Sequence, residues 1–336
     1  MRNLAPVIIT PGEPGGVGTE ITLKAWQRLS ATSDQCFALI SDVAHVRAVA
    51  SRTVADVLIT EVNSLAEAKS VFANALPVLH RPLPQPANLG QFSAGTAPWV
   101  MDAIAEAVDL CLVGSASAMV TNPIQKEALY GAGFKHQGHT DFLAALARAK
   151  GLQATDVMML VGGGLRTVPL TVHIALKDVP SALTREAIET QTHVVHKALQ
   201  IHFKIAAPRI AITGLNPHAG ENGNMGREEI DIIIPAIKNL QSHGLNVFGP
   251  LPADTAFFAD ARKTYDVILC MYHDQALIPV KTLDFHGGVN VTLGLPFIRT
   301  SPDHGTALNI AGTGKAQCDS LIAAITLANQ MAEAEA

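Results

Sequence analysis

Short apolar runs alternate with longer periodic stretches along nearly the whole chain. Seven runs have the length of a β-strand, and they span residues 5–9, 36–40, 54–59, 118–121, 157–161, 209–213 and 266–271. Four longer stretches carry apolar residues three or four positions apart, as one face of a helix does, and they span residues 103–112, 185–199, 227–240 and 318–331. This alternation predicts βαβ units around a largely parallel sheet that is buried on both faces.

One segment departs from this pattern. Residues 165–176 alternate apolar and polar side chains after the three glycines of 162–164, which predicts an antiparallel strand at a sheet edge. The proline-rich residues 81–86 predict an extended surface loop, because the α/β pattern resumes on both sides.

Composition narrows the class of protein. The 336 residues are enough for one very large domain or two joined ones. Only 16% are charged against 48% hydrophobic, so we expect a partner subunit to cover part of the surface. A net charge of −5 without a basic run argues against nucleic acid as a partner. The absence of a signal-peptide core and of an apolar span of ~20 residues, with four scattered cysteines, predicts a cytoplasmic protein with no membrane partner.

A glycine-rich loop follows the first predicted strand and precedes a helix that starts near Thr19. Gly12, Gly15 and Gly16 let the backbone turn sharply and approach a ligand, and a helix start favours an anion. The loop has neither the Lys of a phosphate-binding P-loop nor the third Gly of a dinucleotide fingerprint. A cofactor loop and a plain strand-to-helix turn both stay open.

Three histidines are candidate metal ligands. His218 and His273 follow predicted parallel strands, where open α/β sheets bind ligands, and His173 lies in the alternating segment. Three imidazoles with an open fourth position suit Zn²⁺ or another borderline metal that polarises a substrate oxygen. The alternative for each histidine is a hydrogen-bonded structural role.

Other polar residues suit the binding of an anion. His139 and Thr140 precede a predicted helix, where they bind an anion or Thr140 caps the helix. Lys281, Asn290 and Arg299 stand among apolar residues and suit a phosphate or carboxylate clamp, although an ion pair also explains Arg299.

Two further candidates are an aspartate and a segment of small residues. Asp254 either caps a helix over residues 256–261 or serves as a catalytic carboxylate. The small residues of 303–316, with His304 and Gly305 among them, suit a backbone that lies against a flat ligand such as adenine, or a simple glycine-rich connection.

Five motifs in this chain resemble those of the 4-hydroxythreonine-4-phosphate dehydrogenase family. They are Thr-Pro-Gly-Glu-Pro-Gly-Gly-Val-Gly at 10–18, Gly-His-Thr-Asp-Phe at 138–142, Leu-Asn-Pro-His-Ala-Gly-Glu at 215–221, Tyr-His-Asp-Gln at 272–275 and Asp-His-Gly-Thr-Ala at 303–307. The resemblance implies two α/β/α domains similar to isocitrate and isopropylmalate dehydrogenases, with a cleft between them. The first domain would take residues 1–137 and 298–336, and the second, with the dimer interface, residues 138–297.

The resemblance also implies roles for individual residues. His173, His218 and His273 match the metal ligands, for Zn, Co or Mg. Five residues match substrate-binding positions, namely His139, Thr140, Lys281, Asn290 and Arg299, and the proton acceptor is Asp254 or Lys281. Gly12, Gly15, Gly16, His304, Gly305 and Asn309 are expected at the cofactor. Residues 304–312 resemble an adenosine-binding loop in which an acidic residue is replaced by Asn309, so NAD and NADP both stay open.

The expected activity follows from the same resemblance. It is the NAD(P)- and metal-dependent oxidation of 4-(phosphooxy)-L-threonine, in pyridoxine 5′-phosphate (vitamin B6) biosynthesis, by a homodimer with its active site at the subunit interface. The first alternative is a dehydrogenase of a four-carbon sugar acid phosphate, such as threonate or erythronate 4-phosphate. A metal-free acyl phosphate transferase of related fold is a more remote alternative, and a non-catalytic binding protein leaves the gathered His, Lys, Arg and Asp unexplained.

Overall fold

The computed structural model describes residues 4–31, 35–54, 56–136 and 138–336, and it divides into two compact units. Unit 1 contains the described residues up to Asp156 together with Leu295–Ala336, and unit 2 contains Val157–Gly294. The predicted domain boundary at Gln137 lies outside the described residues. The structure divides the chain at 156/157 and 294/295, and the predicted domain boundaries at 137/138 and 297/298 stay a prediction.

The described residues of unit 1 form a parallel sheet. Its strand order is β3-β4-β2-β1-β5-β12, and every pairing in it is parallel. The strands are β1 Val7–Thr10, β2 Phe37–Ser41, β3 Ile59–Val62, β4 Leu76–His80, β5 Met119–Thr121 and β12 Arg299–Pro302. Most of these strand residues are buried, as expected for a sheet covered on both faces.

Helices cover both faces of this sheet. They are α1 Gly18–Leu29, α2 Val43–Thr53, α3 Leu65–Val71, α4 Ala97–Leu112, α5 Lys126–Gly131, α6 His139–Ala149 and α12 Asp319–Glu335. Helices α4 and α12 both contact β1 and β5. Ile8 points toward α4, where it packs in one cluster with Ile104 and Ala107, while the adjacent Ile9 points to the other face by the alternation of the strand.

Unit 2 contains a mixed sheet. Its strand order is β11-β6-β7-β10-β8-β9, in which β6 is antiparallel to both β11 and β7 and the remaining pairs are parallel. The strands are β6 Val157–Gly162, β7 Leu165–Thr171, β8 Ile210–Thr213, β9 Val247–Leu251, β10 Val267–Tyr272 and β11 Val289–Leu293. The carboxyl ends of β7, β10 and β8 therefore lie side by side at one edge of the sheet.

The helices of unit 2 again lie on two faces. They are α7 Val179–Ala182, α8 Arg185–His202, a π-helical turn Glu229–Ile233 that continues into α9 Ile234–Ser242, α10 Ala253–Ala256 and α11 His273–Leu283. Helix α11 packs on β6, β7 and β10, and Leu277 and Val280 join Leu160 and Ile268 in the core on that side. Helix α8 contacts β6, β7 and β11 and also packs on α9.

The antiparallel pairing of the alternating segment is confirmed, but its predicted place at the sheet edge is wrong. Strand β7 lies between β6 and β10 and is buried along most of its length. Its polar positions are satisfied internally, because the hydroxyl of Thr167 donates to the carbonyl of Ala276 at 3.0 Å and that of Thr171 to Met271 at 2.8 Å. The threonines made the sequence alternate between apolar and polar residues, as in an edge strand, although their hydroxyls are buried and hydrogen-bonded.

The four predicted helices and most predicted strands are confirmed, with shifted ends. The strand predicted at 54–59 is wrong for the described residues, because α2 ends at Thr53 and β3 begins only at Ile59, while Ala55 lies outside the described residues. Strands β4, β9, β11 and β12 were not predicted. The proline-rich residues 81–86 form no helix or strand. In the described part of the chain, no helix combines the length and the apolar character needed to cross a membrane.

Candidate functional site

Two of the three candidate metal ligands meet at the strand ends of unit 2. His173 lies two residues beyond β7, and His273 is the first residue of α11, directly after β10. The register pairs Tyr272 with Thr171, so both histidines leave the sheet at the same level. Their ring centroids are 5.7 Å apart. Neighbouring parallel strands therefore bring together two imidazoles that are a hundred residues apart in sequence.

The third histidine lies on an unusual turn beyond β8. Five successive residues, His218 to Asn222, have left-handed backbone angles with φ between 41° and 77°, and only Gly220 among them is a glycine. Each non-glycine residue in this region costs of the order of 1 kcal/mol or more. His218 itself is exposed. The strain is a feature that sequence reasoning did not predict, and strained backbone clusters at functional sites.

A buried glutamine joins the strand ends that carry these histidines. The carbonyl oxygen of Gln275 accepts from the N–H of Met271 and from the hydroxyl of Thr213, both at 2.7 Å, and its amide donates to the carbonyl of Gly214 at 2.9 Å. Sequence reasoning quoted Gln275 in a motif but gave it no role. Its three hydrogen bonds fix the end of β10 against the end of β8, and such bonds are strong when buried.

The donor set fits a borderline divalent metal, although the described residues contain no group of three or more His, Cys, Asp or Glu arranged as a ligand cluster. The structure brings His173 and His273 together and leaves His218 outside such a cluster. Imidazole nitrogens suit Zn²⁺ and Co²⁺. The Nδ1 atom of His273 lies 2.7 Å from Asp274 Oδ1, a contact that orients the ring and leaves Nε2 for a metal.

The remaining candidates of unit 2 are a lysine, an amide and a carboxylate. Lys281 lies two turns along α11 from His273, with its ammonium 5.7 Å from the ring centre of Phe285, and both side chains line an open groove of about 460 Å³. Asn290 lies on β11, and its buried Oδ1 has no hydrogen-bond partner among the described residues. An orphaned buried acceptor is costly, so it marks a place where a ligand donor fits.

Asp254 caps no helix, and that prediction is wrong. Helix α10 spans Ala253–Ala256 and begins after Pro252, with no side-chain cap, so Asp254 lies inside its first turn. The carboxylate is exposed. Its catalytic alternative stays a prediction.

A cationic cluster lies in unit 1. Arg299 is 3% exposed, and its Nε and Nη2 donate to Thr121 Oγ1 at 3.1 and 2.7 Å. Burial lowers the pKa of Arg299 to about 9, which still leaves it charged near neutral pH. The pKa of His139 lies well below its usual value, first because of burial and then because of the charges of Arg299 and Lys126. Positive groups gathered around a neutral imidazole suit an anion.

His139 is the first residue of α6, and its Nε2 is buried with no hydrogen-bond partner among the described residues. The helix is capped by Gly138 without a side-chain bond, so the prediction that Thr140 caps it is wrong. Thr140 instead lies in the first turn, next to His139. Lys126, which sequence reasoning missed, places its ammonium 3.8 Å from the position that a side chain on Gly138 would occupy.

The glycine-rich loop of unit 1 is shaped by the chain's own contacts. A Cβ at Gly15 would overlap the carbonyl of Gln91, and one at Gly12, where φ is 69°, would lie 2.6 Å from the carbonyl oxygen of Pro123. At Gly16 it would lie 3.0 Å from the carbonyl oxygen of Thr306. These glycines are therefore required by close approach of protein backbone, a reason different from the ligand approach that the sequence suggested.

The second candidate cofactor segment lies against this loop. The N–H of Val17 donates to the carbonyl of Thr306 at 3.0 Å, so both loops meet in unit 1. The buried carboxylate of Glu20 accepts the N–H groups of Gly312 and Ala316, both at 3.1 Å. Within the segment so anchored, three predicted cofactor residues are exposed, namely His304, Gly305 and Asn309. Among the described residues, no atom beyond Gly305 and its two chain neighbours lies within 4 Å of a Cβ built on Gly305.

Many α/β enzymes that bind small molecules have polar groups such as imidazoles, ammonium groups and amides at strand ends and helix starts. The family described as "Pyridoxal phosphate biosynthetic protein PdxA" matches residues 34–328. The chain belongs to this family, which confirms the resemblance seen in its motifs and the expected mixed α/β fold.

Relatives and solved structures agree with this assignment. A protein from Bradyrhizobium diazoefficiens named 4-hydroxythreonine-4-phosphate dehydrogenase is 49% identical, over 98% of each chain. One of the same name from Caulobacter vibrioides is 51% identical, over 97% of each chain. The crystal structure of 4-hydroxythreonine-4-phosphate dehydrogenase from Klebsiella pneumoniae has a TM-score of 0.86 at 36% identity and covers 98% of this chain and 99% of that one.

Proposed function

We propose that this chain oxidises 4-(phosphooxy)-L-threonine at C3 with NAD or NADP. The product, 2-amino-3-oxo-4-(phosphooxy)butanoate, loses CO₂ to give 3-amino-2-oxopropyl phosphate, a step in pyridoxal phosphate biosynthesis. Curated relatives at 49% and 51% identity carry the name of this enzyme. Within the structure, one observation carries the proposal: two predicted substrate-binding residues, His139 and Asn290, each hold a buried polar atom that lacks a partner among the described residues.

The substrate's phosphate fits the cationic cluster of unit 1. Arg299 supplies a buried charge whose orientation Thr121 fixes through two hydrogen bonds. His139 and Thr140 stand in the first turn of α6, where N–H groups and the helix dipole favour an anion. A dianion would also offer an acceptor to His139 Nε2. Lys281 and Asn290 in unit 2 are proposed to bind other polar groups of the substrate.

His173, His218 and His273 are the residues that would hold one divalent metal ion, with Zn²⁺, Co²⁺ and Mg²⁺ as candidates. When bound, such an ion supplies Lewis acidity toward the substrate hydroxyl, and the nicotinamide supplies the hydride acceptor. Asp274 keeps the ring of His273 oriented through its contact with Nδ1. Gln275 keeps the strand ends that carry His218 and His273 at a fixed separation.

The chain must also accept the proton of the C3 hydroxyl. The two proposed acceptors are the carboxylate of Asp254 and the side chain of Lys281, on the same helix as His273, which can act only as the neutral amine. Hydride leaves C3 as the O–H bond breaks, so C3 becomes a carbonyl beside C2. When the bond between C1 and C2 then breaks, that carbonyl accepts the electron pair and CO₂ leaves, and addition of a proton at C2 gives the ketone.

The proposed cofactor residues differ in how the structure supports them. His304, Gly305 and Asn309 are exposed, and the open space beside Gly305 admits a flat ligand. The space beside Gly12, Gly15 and Gly16 is occupied by protein atoms, so their part in cofactor binding is confined to shaping the loop. Asn309 removes one source of repulsion against a 2′-phosphate, which keeps NAD and NADP both in the proposal.

A homodimer with the active site at the subunit interface completes the proposal. Large apolar side chains are exposed beside His173, His273 and Lys281, with Leu176 at 69% and Phe285 at 70% exposure. Ile174 and Ile278 are exposed on the same segments. Apolar groups concentrated around a polar site are typical of a surface that another subunit covers.

The test compares two phosphorylated substrates on the same purified protein. NAD(P)H absorbance is followed with 4-(phosphooxy)-L-threonine and with threonate 4-phosphate, before chelation, after chelation and after metal is restored. We expect a higher kcat/KM for the amino substrate, loss of turnover after chelation and recovery with Zn²⁺, Co²⁺ or Mg²⁺. Preference for the sugar acid would replace the proposed substrate, and full turnover in chelated, metal-free protein would overturn the metal's role.

A further inference from the structure

We propose that Glu229 is a positioning residue that fixes the left-handed turn carrying His218. This inference rests on the proposed role of His218 as a metal ligand. Residues 218–222 stay in a costly backbone conformation, so something outside the turn must hold them there. Glu229, on the π-helical turn that precedes α9, is the group that meets this segment from the protein interior.

The carboxylate of Glu229 bonds the chain on the approach to the turn. Its Oε1 accepts the backbone N–H groups of Leu215 and Asn216, both at 2.8 Å, and its Oε2 accepts the side-chain amide of Asn216 at 3.0 Å. Glu229 is 1% exposed, so these bonds form away from water. Buried bonds to a charged acceptor are among the stronger hydrogen bonds in proteins.

The turn itself also packs against this carboxylate. A Cβ placed on Gly220, in the middle of the left-handed segment, would lie 2.5 Å from Glu229 Oε2, and one on Gly214 would lie 3.0 Å from Oε1. The backbone on both sides of His218 is therefore in close contact with one carboxylate. A change in the position of Glu229 must shift the turn, and His218 moves with it.

Glu229 is placed to act through His218 and not on substrate or metal directly. Both carboxylate oxygens are already used by Leu215 and Asn216, and the side chain is buried beneath the turn. Its neighbour Glu228 offers a contrast, because it is partly exposed and its carboxylate accepts the side-chain amide of Asn216, at 2.7 Å, and backbone N–H groups of Arg227 and Glu228. Glu228 therefore provides a matched control for the loss of one carboxylate.

The experiment uses the full chain as wild type, Glu229→Gln and Glu228→Gln. Hydrogen exchange is measured by mass spectrometry over residues 214–226 in metal-free protein, and Co²⁺ affinity is measured from visible absorption. We expect Glu229→Gln to exchange faster over 215–222 and to bind Co²⁺ ~10–100-fold more weakly, as for other residues that support metal ligands. Glu228→Gln should match wild type in both measurements. If Glu229→Gln does not fold, Glu229→Asp keeps the charge while shortening the reach, and the same two shifts are expected.

The outcomes separate the positioning role from a purely structural one. A Glu229 variant that binds Co²⁺ as wild type does overturns the proposal, whether or not its exchange or melting temperature changes. An equal loss in Glu228→Gln also overturns it, because the effect would then follow from lost charge alone. If the wild type binds no Co²⁺, the proposed metal role of His218 fails and this inference fails with it.

Discussion

The glycine-rich loop of unit 1 and the histidine turn of unit 2 both have a backbone that most residues with side chains do not adopt, but for different reasons. In unit 1, the loop at Gly12 and Gly15 is tight because protein carbonyls of Pro123 and Gln91 occupy the space beside it. In unit 2, four residues with side chains adopt left-handed angles between His218 and Asn222. The glycine-rich loop has glycine where close approach of the backbone requires it, whereas the histidine turn keeps side-chain-bearing residues in a strained conformation.

This difference separates structural from functional features. A glycine in a tight turn lowers the cost of that turn, so its presence is fully explained by the fold. Strain that is kept in side-chain-bearing residues needs compensation, which Glu229 supplies from the interior. The comparison favours the strained turn of unit 2 over the glycine-rich loop of unit 1 as the place to test for ligand chemistry.

The largest expected effect is at the strained turn. His218→Ala should abolish metal binding and lower turnover by ~10³-fold or more, because Lewis acid stabilisation is worth several kcal/mol. Metal content of the purified variant and kcat with 4-(phosphooxy)-L-threonine measure the two losses. His243→Ala is the matched control, since His243 is an exposed histidine at the end of α9. A His218 variant with full metal content and full rate would remove the functional meaning of the turn.

A pair of glycine substitutions tests the other side of the comparison. Gly15→Ala should destabilise the fold by ~1–3 kcal/mol, because the new methyl overlaps the carbonyl of Gln91. Gly305→Ala has open space and should leave the free energy of unfolding unchanged while raising KM for NAD(P). Urea unfolding and cofactor kinetics on both variants separate the effects. If Gly15→Ala were as stable as wild type and only its cofactor KM rose, the glycine-rich loop would be a ligand loop after all.

Sequence patterns predicted the repetitive part of the fold and missed strands whose side chains are satisfied at long range. Strand β12 reads Arg-Thr-Ser-Pro, which is polar, yet Arg299 bonds Thr121 and the hydroxyl of Thr300 donates to Ala324 at 2.8 Å. Such partners lie up to 178 residues away, so no local window reveals them. The alternation in β7 was misleading for the same reason.

The candidate site was predictable by residue type and only partly by geometry. Placement after parallel strands was enough to select His218 and His273, and the structure brings His273 beside His173. The supporting residues Glu229 and Gln275 were missed, because their bonds depend on tertiary contacts. One signal was present for Glu229: it stands four residues before Ile233, on the buried face of its helix, where a carboxylate needs partners.

The smallest expected effect is at His139, whose buried Nε2 has no hydrogen-bond partner among the described residues. Burial and the charges of Arg299 and Lys126 keep its pKa below the value of about 6.5 expected in the unfolded chain. Below that pH the histidine is protonated in the unfolded chain and stays neutral in the folded chain. The free energy of unfolding therefore falls as pH falls, by at most ~1.4 kcal/mol per pH unit. This contribution is fully present above the unfolded pKa.

Replacing His139 with Gln removes the group that binds this proton in the unfolded chain. The variant should therefore lose less stability than wild type as the pH falls from 7.5 to 5.5. Urea unfolding at both pH values gives the difference. His45, whose pKa burial also lowers, contributes with the same sign to both proteins and cancels. His243→Gln, which removes an exposed histidine, is the control. Parallel curves for His139→Gln and wild type would mean that burial and the charges of Arg299 and Lys126 do not hold His139 neutral, which would remove the main electrostatic support for an anion site beside Arg299.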